Sequence, residues 1–256
     1  NQLHEYQGNT YCCGGGYIIK IESGGEQEFF IMDDGFTKVE YYDPDPGEVE
    51  KDFIKTKVLA TQYATSEEIS PDGINRLDTN SFVDYVIIQE LAKNNEGYTR
   101  SQYWYVKDIE PDKFYMGYVW DFNHSYGAVK SDTSNFSFKE FFAVGAVWSG
   151  WGNQSALSSL AETYGFLNQV SNLEVLYRRW KALRDGGILD IDNLLDRIDN
   201  LSNEFRLYNS IDRDNSRWFY SNVQNYEDEF SYFKNWILAR ISWMDGRFSE
   251  NNNIMI

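Results

Sequence analysis

All four prolines of this 256-residue chain, Pro44, Pro46, Pro71 and Pro111, fall within its first 111 residues. Proline fixes φ and lacks an amide proton, so it belongs in turns and at strand edges and breaks helix interiors. The proline-free remainder has helical apolar spacing. Strands and turns first, helices afterwards, is the order of an α+β arrangement.

In the first part, "GYIIKIE" (16–22), "QEFFIM" (27–32) and "FTKVEYY" (36–42) are short β-branched and aromatic runs. The breaks "SGGE" and "DDG" between them read as turns of a meander. "GEVEKDFIKTKVLATQYA" (47–64) fits a helix that stops before "SPDG". "DTNSFVDYVIIQELAKN" (78–94) fits a stronger one. Asp78, Thr79 or Ser81 can cap it, Phe82/Val86 and Val83/Ile87/Leu91 recur at i, i+4, and "NNEGY" ends it. "SQYWYVK" and "KFYMGYVW", joined by "DIEPD", read as a hairpin. From about residue 138 the spacing predicts helices. One covers "NLEVLYRRWKALRDGG", with Ser171 as N-cap and Gly186 or Gly187 as stop. The next has a stripe of Ile191, Leu194, Leu195, Ile198, Leu201 and Phe205, and the last stacks Tyr226, Phe230, Phe233, Ile237, Ile241 and Met244. These stripes are expected to be core.

Hydrophobic residues at 42% and aromatics at 17% are too many for a disordered chain and enough for a sizeable core. No apolar run approaches the roughly 18 residues of a membrane span, so no membrane insertion is expected. The formal net charge of −17 repels phosphate backbones, which argues against a nucleic-acid partner and suits divalent cations and basic protein substrates. Cys12 and Cys13 are neighbours, with Cα atoms ~3.8 Å apart, below the usual span of a disulfide. A disulfide framework is excluded and the compartment stays open. His4 and His124 are the only histidines, too few to support thiol catalysis or a structural zinc site. A start at Asn1 rather than Met reads as a mature product or a piece of something longer.

The chemistry-bearing pieces follow one another in a definite order. A helix leads to a loop with an acid at Glu96 and a polar residue five positions later at Ser101; a hairpin follows, then Asp121–Phe122. A kinase catalytic lobe has this order, because phosphoryl transfer needs a base to orient the attacking hydroxyl and cations to spread charge off the phosphates. Hard oxygen ligands suit Mg²⁺. Each residue also has a plainer reading. Glu96 can be a solvated loop acid, Asp121 a turn cap, Asn123 the closer of an Asx-turn, and His124 a hydrogen-bonded structural residue.

The wording "SFVDYVIIQELAKNNEGYTRSQYWYVKD…MGYVWDFNHSYG" closely resembles the CotH family of atypical protein kinases, first associated with bacterial spore coats. That family shows a helix ending in E-L-x-K-N, an N-x-D-G/A-Y loop, a Ser before an aromatic strand, and W-D-F-D-x-x-x-G. "GGYIIKIE" resembles its glycine-led strand, and "RW" at 179–180, "RW" at 217–218 and "WILARISWMD" resemble its helical tail. The likeness runs from residue 14 to about 246.

The resemblance implies an α+β, atypical protein-kinase-like fold, with 1–46 a β-meander remnant of the N-lobe and hinge region and 47–250 the C-lobe with catalytic loop, hairpin and helical tail. It implies ATP and Mg as cofactors, a Ser/Thr-containing protein as acceptor, and an extracellular or cell-surface location. Asp121 corresponds to the metal-binding Asp and Glu96 to the catalytic Asp. Asn94 opens the catalytic loop, Ser101 is the polar residue five positions after Glu96, and Asn123 is a secondary metal ligand.

Three departures stand out. Glu96 replaces an Asp, and its extra methylene moves the carboxylate by about 1–1.5 Å, a displacement that can cost ~10²-fold in rate. Asn123 replaces the second Asp of W-D-F-D. The family's R-G-N-S-S-like strand and phosphate-holding Lys are not in this sequence. The glycines of "CCGGGYIIK", with Lys20 nearby, do not have P-loop spacing and read as a turn feeding a strand. The departures keep a pseudokinase-like scaffold in view. A carbohydrate site, with Glu96 and Asp121 as an acid/base pair in a groove lined by Trp104 and Trp120, is the alternative from another class.

Overall fold

The computed structural model describes residues 2–6, 9–13, 16–22, 28–31, 38–43, 46–63, 78–94, 96–98, 100–107, 113–128, 137–139, 170–218 and 226–249. They fall into two compact units: one holds the described residues up to Ser125 and those up to Leu176 at the start of the C-terminal helices, and the other holds Tyr126–Lys139 and the described residues from Tyr177 onward.

The first unit carries an N-terminal hairpin of β1 (Gln2–Tyr6) and β2 (Asn9–Cys13), and an antiparallel five-stranded sheet. The sheet contains β3 (Tyr17–Glu22), β4 (Phe29–Ile31), β5 (Lys38–Asp43), β6 (Gln102–Val106) and β7 (Tyr115–Met116), in the order β4-β5-β3-β6-β7. The three strands expected near the N-terminus are present, but not as a meander, because β5 lies between β4 and β3. Burial explains the swap. Val39, Glu40 and Tyr41 of β5 are all buried, which calls for neighbours on both edges, whereas β4 is three residues long with only Phe30 buried. The expected hairpin pairs Trp104 with Met116 and Tyr105 with Tyr115. Strands from both sides of residue 46 share this sheet, and the division between compact units falls after Ser125.

Gly16 precedes β3 where the backbone of β6 comes close. A Cβ there would overlap the Val106 carbonyl, so the glycine marks a close approach of two strands. One sheet face, with Ile19, Ile21, Val39 and Trp104, is buried. The same unit holds α1 (Glu48–Tyr63), on which Phe53, Ile54 and Val58 are buried, and α2 (Thr79–Ala92). Of the three candidate caps for α2, Asp78 serves: its carboxylate accepts the Ser81 amide at 2.8 Å. The Ser81 hydroxyl then accepts the Met116 amide at 3.2 Å, tying the helix start to β7.

The C-terminal helices are α3 (Val170–Asp185), α4 (Ile191–Leu207), α5 (Ser210–Arg217) and α6 (Tyr226–Ser249). Ser171 lies inside α3, one residue past its first, rather than preceding it as a cap. The helix ends as expected, with Gly187 at φ +75°. On α4 only Ile198 of the expected stripe is fully buried, and Leu201 is 46% exposed, so that face is only partly core. On α6, Ile237, Ile241 and Met244 are buried. In the second unit Asp245 accepts the Trp180 indole N–H at 2.9 Å and a forked contact from Arg184, while Arg240, fully buried, donates to the Phe138 carbonyl at 2.9 Å. No helix among the described residues is long and apolar enough to cross a membrane.

Candidate functional site

The site begins where α2 ends. Lys93 adopts the left-handed conformation (φ 51°, ψ 50°), and its amide returns to the carbonyls of Gln89 and Glu90, a C-cap that reverses the chain. The Asn94 amide also donates to Gln89, at 3.0 Å. The chain then makes a short 3-10 turn, Glu96–Tyr98, all of it buried. Two hydroxyls lock this turn under the helix. Tyr85 donates to the Gly97 carbonyl at 2.6 Å, and Tyr98 donates to Glu90 Oε1 at 2.9 Å. Burial pushes the Tyr85 phenol well above its ordinary range, which keeps it a neutral donor. Gly97 is required by space, since a Cβ would overlap the completely buried Gln89 side chain.

Glu96 is therefore not a solvated loop acid: it is 6% exposed. Its Oε1 accepts from Arg100 Nη2, four residues on, and lies 3.6 Å from His124 Nδ1. Sequence reasoning passed over Arg100, although an i, i+4 acid–base pair is a legible signal. Ser101, 3% exposed and at φ +57°, leads into β6, and no side-chain hydrogen bond joins it to the other candidates among the described residues.

Asp121 lies just beyond β7, also in the left-handed region at φ +59°. Asp tolerates this conformation better than most residues, but it is costly and is typically held by its surroundings. Here Asn94 provides the hold: its buried Nδ2 donates to the Asp121 carbonyl oxygen at 3.1 Å. The turn that follows closes through the backbone, with the Ser125 amide donating to Phe122 at 3.1 Å, not through the Asn123 side chain. No hydrogen bond or ion pair takes the Asp121 carboxylate among the described residues, so it does not serve as a turn cap. Asn123 and His124 are exposed on the same turn.

The structure thus brings Asn94 to Asp121 and Glu96 to His124, joining the loop after α2 to the turn after the hairpin. Asn94 Oδ1 and Ser125 Oγ are buried without a hydrogen-bond partner, and sequence reasoning had not singled out Ser125. Among the described residues no group of three or more His, Cys, Asp or Glu side chains could hold a metal. One carboxylate with neutral oxygens nearby fits Mg²⁺ carried in with nucleotide phosphates, which needs only one or two protein carboxylates. The alternative carbohydrate groove loses a wall, because Trp104 is 3% exposed, packs on Phe114 and donates its indole N–H to Gln102.

A family model described as CotH kinase protein matches residues 2–244. No curated protein and no solved structure gives a significant match. The family match takes in the α2 end, the Glu96 turn, the hairpin and the Asp121 turn, and the chain belongs to the CotH kinase family.

Proposed function

We propose that this chain is a kinase-like phosphotransferase domain that transfers the γ-phosphoryl group of ATP, bound with Mg²⁺, to Ser or Thr of a basic protein that is secreted or displayed at a cell surface. In this reading residues 47–250 act as the catalytic lobe, and 1–46 are the remnant of the nucleotide-covering lobe. The observation that carries it is the Asp121 carboxylate, which has no partner among the described residues while its backbone is pinned in the left-handed region by Asn94 from the catalytic loop. A carboxylate left unpaired on a backbone held this way is suited to presenting oxygen to a metal.

Asp121, with Asn94 Oδ1, Ser101 and Asn123 as neutral oxygen donors, would hold Mg²⁺, which when bound offsets the negative charge of the phosphates. Glu96 orients the acceptor hydroxyl and takes its proton. The acceptor oxygen bonds to the γ-phosphorus as the bond from that phosphorus to the bridging oxygen of ADP breaks. Arg100 grips Glu96 Oε1 and draws the longer acid back toward its own turn.

The test is thermal unfolding with ATP and Mg²⁺, alongside transfer of labelled phosphate to a basic Ser-containing peptide. At ligand a hundredfold above Kd the expected stabilisation is about 2.7 kcal/mol. Asp121→Asn should abolish both signals. Absence of both in the unaltered protein overturns the proposal. A second reading, nucleotide binding without transfer, is favoured by the engagement of Glu96 with Arg100, and stabilisation without transfer would identify it.

A further inference from the structure

The outer face of the five-stranded sheet is aromatic, and its outermost rings lie open. Tyr103, at the centre, meets Tyr42 at 5.2 Å, Tyr118 at 6.2 Å and Trp120 at 6.5 Å, each ring nearly perpendicular to it. Tyr103 itself is buried by these neighbours, while Tyr42, Tyr118 and Trp120 are 42%, 62% and 57% exposed. The cost of exposing three large aromatics together points to a binding surface. The ridge is held in shape. Gly117 donates its amide to the Tyr103 carbonyl at 2.9 Å, and a Cβ on Gly117 would meet the Tyr105 ring at 2.6 Å, so the segment bearing Tyr118 and Trp120 lies directly on β6.

We infer that this ridge docks a basic segment of the protein acceptor, whose Arg and Lys side chains lie on the open ring faces. Three observations select a cationic partner over other occupants of an aromatic surface. The chain carries a net charge of −17, which draws basic segments to it. Both ends of the ridge carry a carboxylate, Asp43 after Tyr42 and Asp121 after Trp120, and neither is ion-paired among the described residues. The same face already uses the interaction internally, with Lys20 Nζ 5.7 Å from the Tyr103 ring centre and Lys107 Nζ 3.9 Å from that of Tyr115. Lys20 is balanced by Glu22 at 3.5 Å, so it does not turn the ridge against a cation. Cations over Trp and Tyr faces are attracted by the ring quadrupole. The inference deepens the phosphotransferase reading by supplying an acceptor-docking surface that starts one residue from Asp121.

The experiment is titration of the full chain, without nucleotide, with an Arg/Lys-rich Ser peptide, followed by calorimetry or fluorescence at two salt concentrations. A citrulline/Gln-substituted copy, a neutral proline-rich peptide and a soluble oligosaccharide are the comparison ligands. Tyr118→Ala and Tyr42→Ala are each expected to weaken binding of the basic peptide roughly 3- to 30-fold, with Tyr118→Phe close to the unaltered protein. Binding should weaken with salt and be largely lost for the citrulline copy. An unchanged affinity in both alanine variants overturns the inference, as does equal or tighter binding of the citrulline copy, the proline-rich peptide or the oligosaccharide. Circular dichroism of the variants checks that they are folded. Peptide binding without phosphate transfer would leave this surface standing and remove the phosphotransferase reading. Transfer whose peptide KM ignores Tyr118→Ala and Tyr42→Ala would do the reverse.

Discussion

The side-chain amide of Asn94 donates a 3.1 Å hydrogen bond to the backbone carbonyl of Asp121, across 27 residues of sequence. This contact couples the end of α2 to the turn after β7. Asn94 is fully buried, so no water can replace it at low cost. Asn94→Ala should destabilise the first unit by about 1–3 kcal/mol, through the carbonyl left unsatisfied. The response to Mg-ATP should fall by more than this stability loss accounts for, because Asp121 is then free to leave φ +59°. Chemical denaturation with and without Mg-ATP separates the two effects, and an Mg-ATP shift that survives intact removes Asn94 from the site.

Arg100 and Glu96 form a partly buried pair, with the Arg side chain 43% and the Glu side chain 8% exposed. If Arg100 compensates for the longer acid, Arg100→Ala lowers phosphate transfer about tenfold, with little change in the ATP dependence. In a Glu96→Asp background the same substitution costs less, since the shorter acid reaches Arg100 poorly. The two changes then show a coupling energy of at least ~0.5 kcal/mol in a double-mutant cycle. Additive effects would mean that the pair is only a surface contact.

Features set by neighbouring residues were legible in the sequence. Asp78 caps α2 because its carboxylate reaches an amide three residues on, and Gly187 ends α3 because it accepts a positive φ. Sheet order was not legible, since placing β5 between β4 and β3 is decided by burial on both of its edges. Trp104 and Trp120 look alike as letters. They part company because Trp104 sits on the core-facing phase of β6 while Trp120 lies past the end of β7. The candidate site was legible as an order of motifs, but not as a contact. Nothing near residue 94 announces that its amide will meet residue 121.

Gly97, in the turn after α2, lies against a Gln89 side chain that is fully buried. Gly97→Ala should cost about 1–3 kcal/mol by overpacking, and should also lengthen the Tyr85 contact to the residue 97 carbonyl. Equilibrium unfolding measures the first, and amide hydrogen exchange over 94–98 the second. A neutral substitution would mean that Gln89 has room to move.

Alkaline pH should weaken the first unit through its buried phenols. Burial, reinforced by Glu28, pushes Tyr41 from its ordinary value of 10.0 up to about 12, and burial raises Tyr85 as well. Above pH 10 the unfolded chain releases these protons while the folded chain keeps them. The unfolded state then binds fewer protons, and stability falls as pH rises. For Tyr41 the window runs from pH 10 to about 12, and for Tyr85 it opens at the same lower edge. Below pH 10 both phenols are protonated in either state, and neither contributes a slope. Tyr85→Phe loses the 2.6 Å bond to Gly97, so it should be less stable at pH 8. Its stability should nevertheless decline less steeply between pH 10 and 11.5 than that of the unaltered chain. Urea denaturation at half-unit steps reads both quantities. Parallel slopes for the two proteins would mean that Tyr85 ionises as readily in the fold as outside it.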